Sequence, residues 1–86
     1  MSKILDKQIG GDHYAKQSIQ PIEYITANKM DFNHGNIVKY VTREKDKGKD
    51  GDIKKIIDYA VFILKFDYGY SDDAIQDYLR DKFGIS

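Results

Sequence analysis

Residues 35–55 read GNIVKYVTREKDKGKDGDIKK, and this stretch decides the fold because it combines a helical apolar pattern with a dense group of cations. At 100° per residue, residues 36–45 separate into two helix faces if they are helical. The apolar face carries Ile37, Val38 and Val41, and the opposite face carries Asn36, Lys39 and Arg43, with Tyr40 at its edge. We predict that the first face packs in a core and that the second meets anions.

Seven Lys and Arg residues lie in segment 39–55, against four Asp and Glu residues. One interpretation is a solvated helix followed by a polar loop, since charged residues usually lie on the surface. The other is an anion site, because a Lys charge, an Arg fork, an Asn amide and a Tyr ring on one face suit a phosphate plus a base or sugar. The residues alone leave both interpretations open.

The length and composition of the chain set its class. Its 86 residues give room for one domain, which we take to be 1–86. A chain this short buries about 60 to 65 % of its unfolded surface, so self-association would supplement a modest core. No cysteine is present, which excludes disulfides and thiolate metal sites. An intracellular protein is therefore expected.

The charge balance limits the partners. Fourteen cations balance fourteen acids, whereas broad nucleic-acid binding calls for a clearly basic domain. No run of residues approaches a membrane-spanning length, and residues 1–10 lack the apolar core of a signal peptide. We expect a cytoplasmic protein with no membrane partner, and any basic site must be local.

Glycine, proline and capping signals divide the chain into four predicted helices. Three cover about residues 21–28, 33–45 and 52–68, and the fourth lies between a Ser71 cap and a Gly84 stop. No alternating stretch of useful length predicts a strand. The predicted fold is mostly α, a small bundle of about four helices with an N-terminal arm (1–9) and a glycine-rich loop, and we expect it to be oligomeric.

The third predicted helix is apolar on nearly all sides and must be buried on nearly all sides. One stripe comprises Ile53, Ile56, Ile57, Ala60 and Leu64. A second stripe comprises Tyr59, Phe62 and Phe66. In so small a chain we expect the second stripe to be an interface with another subunit. Burial beneath the N-terminal arm is the alternative.

The familiar nucleotide and metal motifs are missing from the sequence. It contains neither G-x-x-x-x-G-K-[ST] nor G-x-G-x-x-G. His13 and His34 lie far apart, so no zinc site is predicted. Asp12, Asp52 and Asp58 could hold Mg²⁺ through water if the protein is an enzyme, but capping and i,i+4 pairing explain the last two equally well.

The sequence GGDHY at 10–14 predicts a tight turn in which the backbone can approach a ligand closely. The turn presents three functional side chains, Asp12, His13 and Tyr14. An ordinary loop with Asp12 as a cap accounts for the same residues. Spacing alone favours the ordinary loop.

Several short blocks occur together in an order typical of one family. They are GGDHY at 10–14, IQPIE at 19–23 and GNIVKYVTR at 35–43, followed by Lys45, Lys47, Gly48, Asp52, Lys54, Lys55 and Tyr59. As an ordered set over about residues 10–60, they resemble a family of small tailed-phage proteins that includes a phage nucleotide kinase lacking a Walker motif. Residues 61–86 add the end of the third helix and a short acidic helix.

The resemblance implies an oligomeric phage protein that handles nucleotides. It joins the GGDHY turn to the cationic helix face, with Asp12 accepting from ribose or base and Tyr14 stacking. The expected ligand-binding residues are Asp12, His13, Tyr14, Asn36, Lys39, Tyr40, Arg43, Lys47 and Lys55. We expect Arg43 to be the main phosphate ligand, because its planar fork can hold two phosphate oxygens. No catalytic residue is assigned.

Three functions follow from these expectations. The first is a binding protein that captures a nucleotide or a nucleotide-derived signal, such as a host immune messenger, at a subunit interface. The second is a nucleoside monophosphate kinase or related phosphotransferase, in which Lys39, Arg43 and Lys55 neutralise phosphate charge. The third is an inhibitor that binds a host protein through the aromatic stripe. We favour the first, because phosphate ligands are present while a metal-holding carboxylate pair and a triphosphate cradle are not.

Overall fold

The computed structural model describes residues 18–47 and 49–84, except for the side chains of residues 46 and 47. The N-terminal arm and the GGDHY turn lie outside these residues. Four helices make up the described part: α1 (Pro21–Ala27), α2 (Phe32–Lys47), α3 (Asp50–Phe66) and α4 (Asp72–Phe83). The described residues contain no strand. The prediction of a mostly α fold with about four helices is therefore confirmed.

Local sequence signals explain where α1 begins and ends. Pro21 takes the first turn, where the missing N–H of proline removes no helical hydrogen bond. The Gln20 N–H donates to Glu23 Oε1 at 3.0 Å, as in a capping box. After the helix, Lys29 adopts a left-handed φ of 52°. This conformation ends α1 and directs the chain into α2.

Helices α2 and α3 form a hairpin, which is the most extensive helix pair in the described chain. Only residues 48 and 49 separate them, so each helix extends two residues further toward the connection than the sequence predicted. Asp50 and Asp52 lie in the first turn of α3. Their negative charge favours a helix N-terminus, which explains why α3 begins before the predicted residue 52.

Helix α1 packs against α2 at Gly35. Gly35 is buried, and a Cβ at this position would lie 3.1 Å from Ile25 Cγ2. Helix α4 contacts α3 and no other helix in the described part of the chain. Ile75 of α4 is 6 % exposed. Together with Pro21, it makes up the buried apolar side chains of the described residues.

The faces of α2 differ from the prediction. Val41, assigned to the core face, is 51 % exposed. Tyr40 and Arg43, assigned to the anion-binding side, instead contact Tyr59 and Asp52 of α3. The prediction was wrong for Val41, and it missed the α3 contacts of Tyr40 and Arg43 because it counted only aliphatic residues as core-forming, whereas ring stacking and an ion pair join these two helices.

Each of the two stripes of α3 is only partly where the prediction placed it. Ile53 and Ile57, expected to face the core, are 41 % and 52 % exposed. Tyr59, expected at a subunit interface, packs inside the hairpin against Tyr40. Of the predicted interface stripe, Phe66 remains 69 % exposed. The free apolar surface of α3 is thus both aliphatic and aromatic.

Helix α4 has the caps that the sequence predicted. Ser71 Oγ accepts a hydrogen bond from the Ala74 N–H at 3.1 Å, and Gly84 adopts a left-handed φ of 66°. Its buried face is narrower than predicted, because Tyr78 is exposed. None of the described helices combines the length and apolar composition that crossing a membrane requires.

Candidate functional site

Tyr59 organises an aromatic cluster between α2 and α3. Its ring stacks on Tyr40 with 6.0 Å between centroids and 13° between planes. Phe32 approaches the same ring edge-on at 5.8 Å, and Phe62 does so at 6.0 Å. Offset stacked and edge-to-face pairs are the favoured geometries for aromatic rings. The cluster therefore holds Tyr40 in a fixed position on the hairpin.

Two lysines meet at the Tyr40 ring. Lys39 Nζ lies 4.8 Å from the ring centroid, and Lys55 Nζ lies 4.9 Å from it. Each distance is within the range of a cation–π interaction. Lys39 comes from α2 and Lys55 from α3, so the hairpin brings together two cations that are remote in sequence. We call Lys39, Tyr40, Lys55 and Tyr59 the Tyr40 cluster.

The two ammonium groups of this cluster lack a compensating carboxylate in the described part of the chain. No Asp or Glu side chain described there forms an ion pair with Lys39 or Lys55. Lys54, the neighbour of Lys55, differs in this respect, because its Nζ lies 3.3 Å from Asp50 Oδ2. Among the described residues, the Tyr40 cluster thus carries uncompensated positive charge on an aromatic support, an arrangement suited to an anion.

Arg43 lies one helical turn beyond Lys39 and Tyr40 but has a carboxylate partner. Its Nε is 3.4 Å from Oδ2 of Asp52, a residue that is 5 % exposed. Asp52 Oδ2 makes no hydrogen bond in the described part of the chain, so the nearby guanidinium is its main electrostatic compensation. The sequence predicted that Arg43 is the main phosphate ligand. The structure gives it a second, structural role that reduces its available charge.

A shallow cleft lies beside the cluster, between α1 and the first half of α2. It encloses about 220 Å³ and is lined by Ile25, Met30, Asp31, Phe32, Gly35, Asn36 and Lys39. Two predicted ligand residues, Asn36 and Lys39, thus share one cleft. Asn36 Nδ2 donates to the Phe32 carbonyl at 2.9 Å, which fixes the side-chain amide. The cleft has room for a phosphate or a sugar but is small for a whole nucleotide.

A protein-family model matches more than half of the chain. The family described as a protein of unknown function (DUF3310) matches residues 10–61. The chain belongs to this family. No curated protein and no solved structure matches the chain significantly. The matched range contains the whole Tyr40 cluster and the Arg43–Asp52 pair, whereas α4 lies beyond it.

Several predicted site residues are not among those that the structure describes. Asp12, His13 and Tyr14 lie outside the described residues, as does the side chain of Lys47. Asp52 and Asp58, which the sequence left open as possible magnesium ligands, do not converge on α3: Asp52 is buried, while Asp58 is exposed and lies about 120° away around the helix.

A second polar cluster lies at the other end of the hairpin and was missed by the sequence analysis. Asp31, His34 and Asp67 have one donor atom each within 4.8 Å of one another. The sequence analysis compared His34 only with His13. The i,i+3 spacing of Asp31 and His34 was visible in the sequence, but only the fold shows that Asp67 joins them.

Asp31 also begins α2. Its Oδ1 accepts from the His34 backbone N–H at 2.9 Å and lies 2.7 Å from His34 Nδ1. The backbone hydrogen bond from His34, followed by the bond from its ring, lowers the pKa of Asp31 below its usual value of 3.8. Asp31 is therefore an ionised carboxylate at neutral pH.

Proposed function

We propose that this protein binds a nucleotide or another phosphate-bearing small molecule at the Tyr40 cluster. The observation that carries the proposal is the convergence of Lys39 and Lys55 on one tyrosine ring, at 4.8 and 4.9 Å, without a carboxylate partner among the described residues. Charge-assisted hydrogen bonds from two ammonium groups favour a phosphate. Asn36, in the adjoining cleft, supplies an amide for a sugar or base.

The finer form of the proposal is a phage protein that captures a nucleotide-derived signal and does not transform it. The phage origin rests on the resemblance of the GGDHY and GNIVKYVTR blocks. Capture is favoured over phosphoryl transfer because Asp52, the buried acid of α3, is already paired with Arg43. A phosphotransferase also needs groups that hold a metal and a triphosphate.

The same proposal includes association of several copies, with the ligand near their interface. Ile53 and Ile57 are well exposed on α3, and a second copy would cover them. A small chain that leaves such apolar side chains exposed gains stability by burying them between copies.

Calorimetric titration with a panel of linear and cyclic nucleotides and inorganic phosphate tests the binding site. For the tightest ligand of the panel, we expect Lys39→Ala and Lys55→Ala each to weaken binding by roughly 10- to 100-fold, from the loss of a charged hydrogen bond. Lys54→Ala is the matched control, since Lys54 neighbours Lys55 but is paired with Asp50. If all three variants bind the ligand as tightly as the wild type does, the Tyr40 cluster is not the binding site.

Two further measurements separate the alternatives. Incubation with ATP and nucleoside monophosphates, followed by product analysis, identifies a kinase if a nucleoside diphosphate forms.

Sedimentation of the wild type and of Ile57→Asp tests whether copies of the chain associate. We expect the variant to give smaller species, and a wild type that is monomeric at all working concentrations contradicts the multi-copy arrangement.

A further inference from the structure

We propose that Asp31, His34 and Asp67 form a binding site for a divalent transition-metal ion, separate from the Tyr40 cluster. One donor atom from each residue lies within 4.8 Å of the other two. A single metal ion with bonds of about 2.0 to 2.2 Å to nitrogen and oxygen holds its ligand atoms about 3 to 4.4 Å apart, which is somewhat closer than this limit. The three side chains therefore need only small rotations to share one ion.

The three ligands come from different parts of the hairpin. Asp31 precedes α2, His34 lies in its first turn, and Asp67 caps the C-terminal end of α3. The side chains are exposed, so an ion can enter from solvent without opening the fold. Because the backbone of both helix ends is fixed by helical hydrogen bonds, the three donors are held close together before any ion binds.

The position of Asp67 provides a second reason to expect a cation. Its N–H donates to the Ile63 carbonyl at 2.9 Å, which places it at the negative end of the α3 dipole. A carboxylate there is unfavourable, and Asp31 adds a further negative charge nearby. In the described chain, no Lys or Arg forms an ion pair with either carboxylate. A bound cation would compensate both carboxylates and the helix end.

The imidazole of His34 already lies against a second proposed ligand. Asp31 Oδ1 is 2.7 Å from His34 Nδ1, so a metal ion bound to both atoms would take the place of the proton between them. Three protein ligands leave further coordination positions to water or to an anion. The weak packing of the exposed side chains favours modest affinity and rapid exchange.

The donor set selects the class of metal. One imidazole nitrogen with two carboxylates suits Zn²⁺, Co²⁺, Ni²⁺ or Mn²⁺. Mg²⁺ and Ca²⁺ are bound mainly by oxygen and gain little from His34. Because the site links the beginning of α2 to the end of α3, a bound ion should stabilise the folded hairpin in proportion to its occupancy.

The experiment uses the full chain after dialysis against a chelator. Titration with Co²⁺, followed by visible absorption, and with Zn²⁺, followed by calorimetry and melting temperature, should each show one saturable site per chain. We expect His34→Ala and Asp67→Asn to weaken binding at least tenfold. Asp31→Asn should also weaken it, while the asparagine keeps an oxygen that can cap α2. Asp58→Asn, an exposed acid elsewhere on α3, is the control and should bind normally.

Several results would overturn the site. Binding that is unchanged in His34→Ala places the metal elsewhere, for example on His13. Binding that Asp58→Asn weakens as much as Asp67→Asn indicates a diffuse attraction to surface acids. Absence of saturable Zn²⁺ and Co²⁺ binding to the wild type excludes the proposal. A Mg²⁺ affinity equal to that for Zn²⁺ contradicts the role assigned to the imidazole.

Discussion

Arg43 and Asp52 join the two long helices through an ion pair in which only one partner is buried. Arg43 Nε lies 3.4 Å from Asp52 Oδ2, and the side chains are 38 % and 7 % exposed, respectively. An acid removed from water needs compensation, and the guanidinium is the described cation that supplies it. This relationship makes a residue of the predicted ligand face part of the fold.

We predict that Arg43→Ala lowers the free energy of unfolding by about 1 to 3 kcal/mol, because it leaves the buried Asp52 carboxylate without its partner. Urea denaturation measures the change. Arg80→Ala is the matched control, since Arg80 forms an exposed pair with Asp77 at 3.1 Å, and exposed pairs contribute about 0 to 1 kcal/mol. Equal effects of the two substitutions would mean that the Asp52 carboxylate is adequately solvated without Arg43.

The helices were predictable from the sequence because their signals are local. Pro21 at the start of α1, Ser71 before α4 and Gly84 after it each act on backbone groups within one turn. Which side of α2 packs against α3 was not predictable in the same way. Tyr40 and Arg43 have polar atoms, yet their rings and charges find partners on α3. Such partners are known only after two helices have been placed side by side.

Tyr59 contacts three other rings, and we predict that Tyr59→Ala lowers the free energy of unfolding by about 2 to 4 kcal/mol. The loss includes apolar burial and the stacking on Tyr40 at 6.0 Å. Tyr68→Ala is the control, because Tyr68 is 71 % exposed and should change stability by about 0.5 kcal/mol or less. A small effect of Tyr59→Ala would show that the aromatic cluster does not hold the hairpin together.

Two helical glycines offer a test of the contact between α1 and α2. At Gly51, no atom lies within 4 Å of an added Cβ, so Gly51→Ala should stabilise the protein by up to about 0.5 to 1 kcal/mol. At Gly35, the added Cβ would lie 3.1 Å from Ile25 Cγ2. Crowding against Ile25 should therefore cancel or reverse the gain in stability for Gly35→Ala. Thermal denaturation of both variants makes the comparison, and an equal gain at Gly35 would contradict the close packing of α1.

The candidate site was only partly accessible to sequence reasoning. Lys39 and Lys55 could be named from charge and from the resemblance, but their convergence depends on Tyr40 facing α3, which the apolar pattern did not predict. The cluster of Asp31, His34 and Asp67 depends on the end of α3 lying beside the start of α2. In both cases the chemistry is set by residues that are distant in sequence and meet through hairpin packing.

The last prediction concerns the ring that supports the two lysines. If Tyr40 positions Lys39 and Lys55 through its π face, then Tyr40→Phe should retain nucleotide affinity within about twofold, because the phenyl ring keeps the cation–π contact. Tyr40→Leu removes both contacts, at 4.8 and 4.9 Å, and should weaken binding by roughly 5- to 30-fold. Calorimetric titration with the tightest nucleotide of the panel measures both values.

A tyrosine that instead contacts the ligand through its hydroxyl would give a different order, with Tyr40→Phe and Tyr40→Leu equally impaired. Partial unfolding of a variant would also lower the measured affinity, since Tyr40 stacks on Tyr59. Each titration is therefore accompanied by a melting curve, and only variants that are folded at the titration temperature are compared. Affinity that is unchanged in a folded Tyr40→Leu protein would show that the two lysines, if they bind the phosphate, do so without support from the ring.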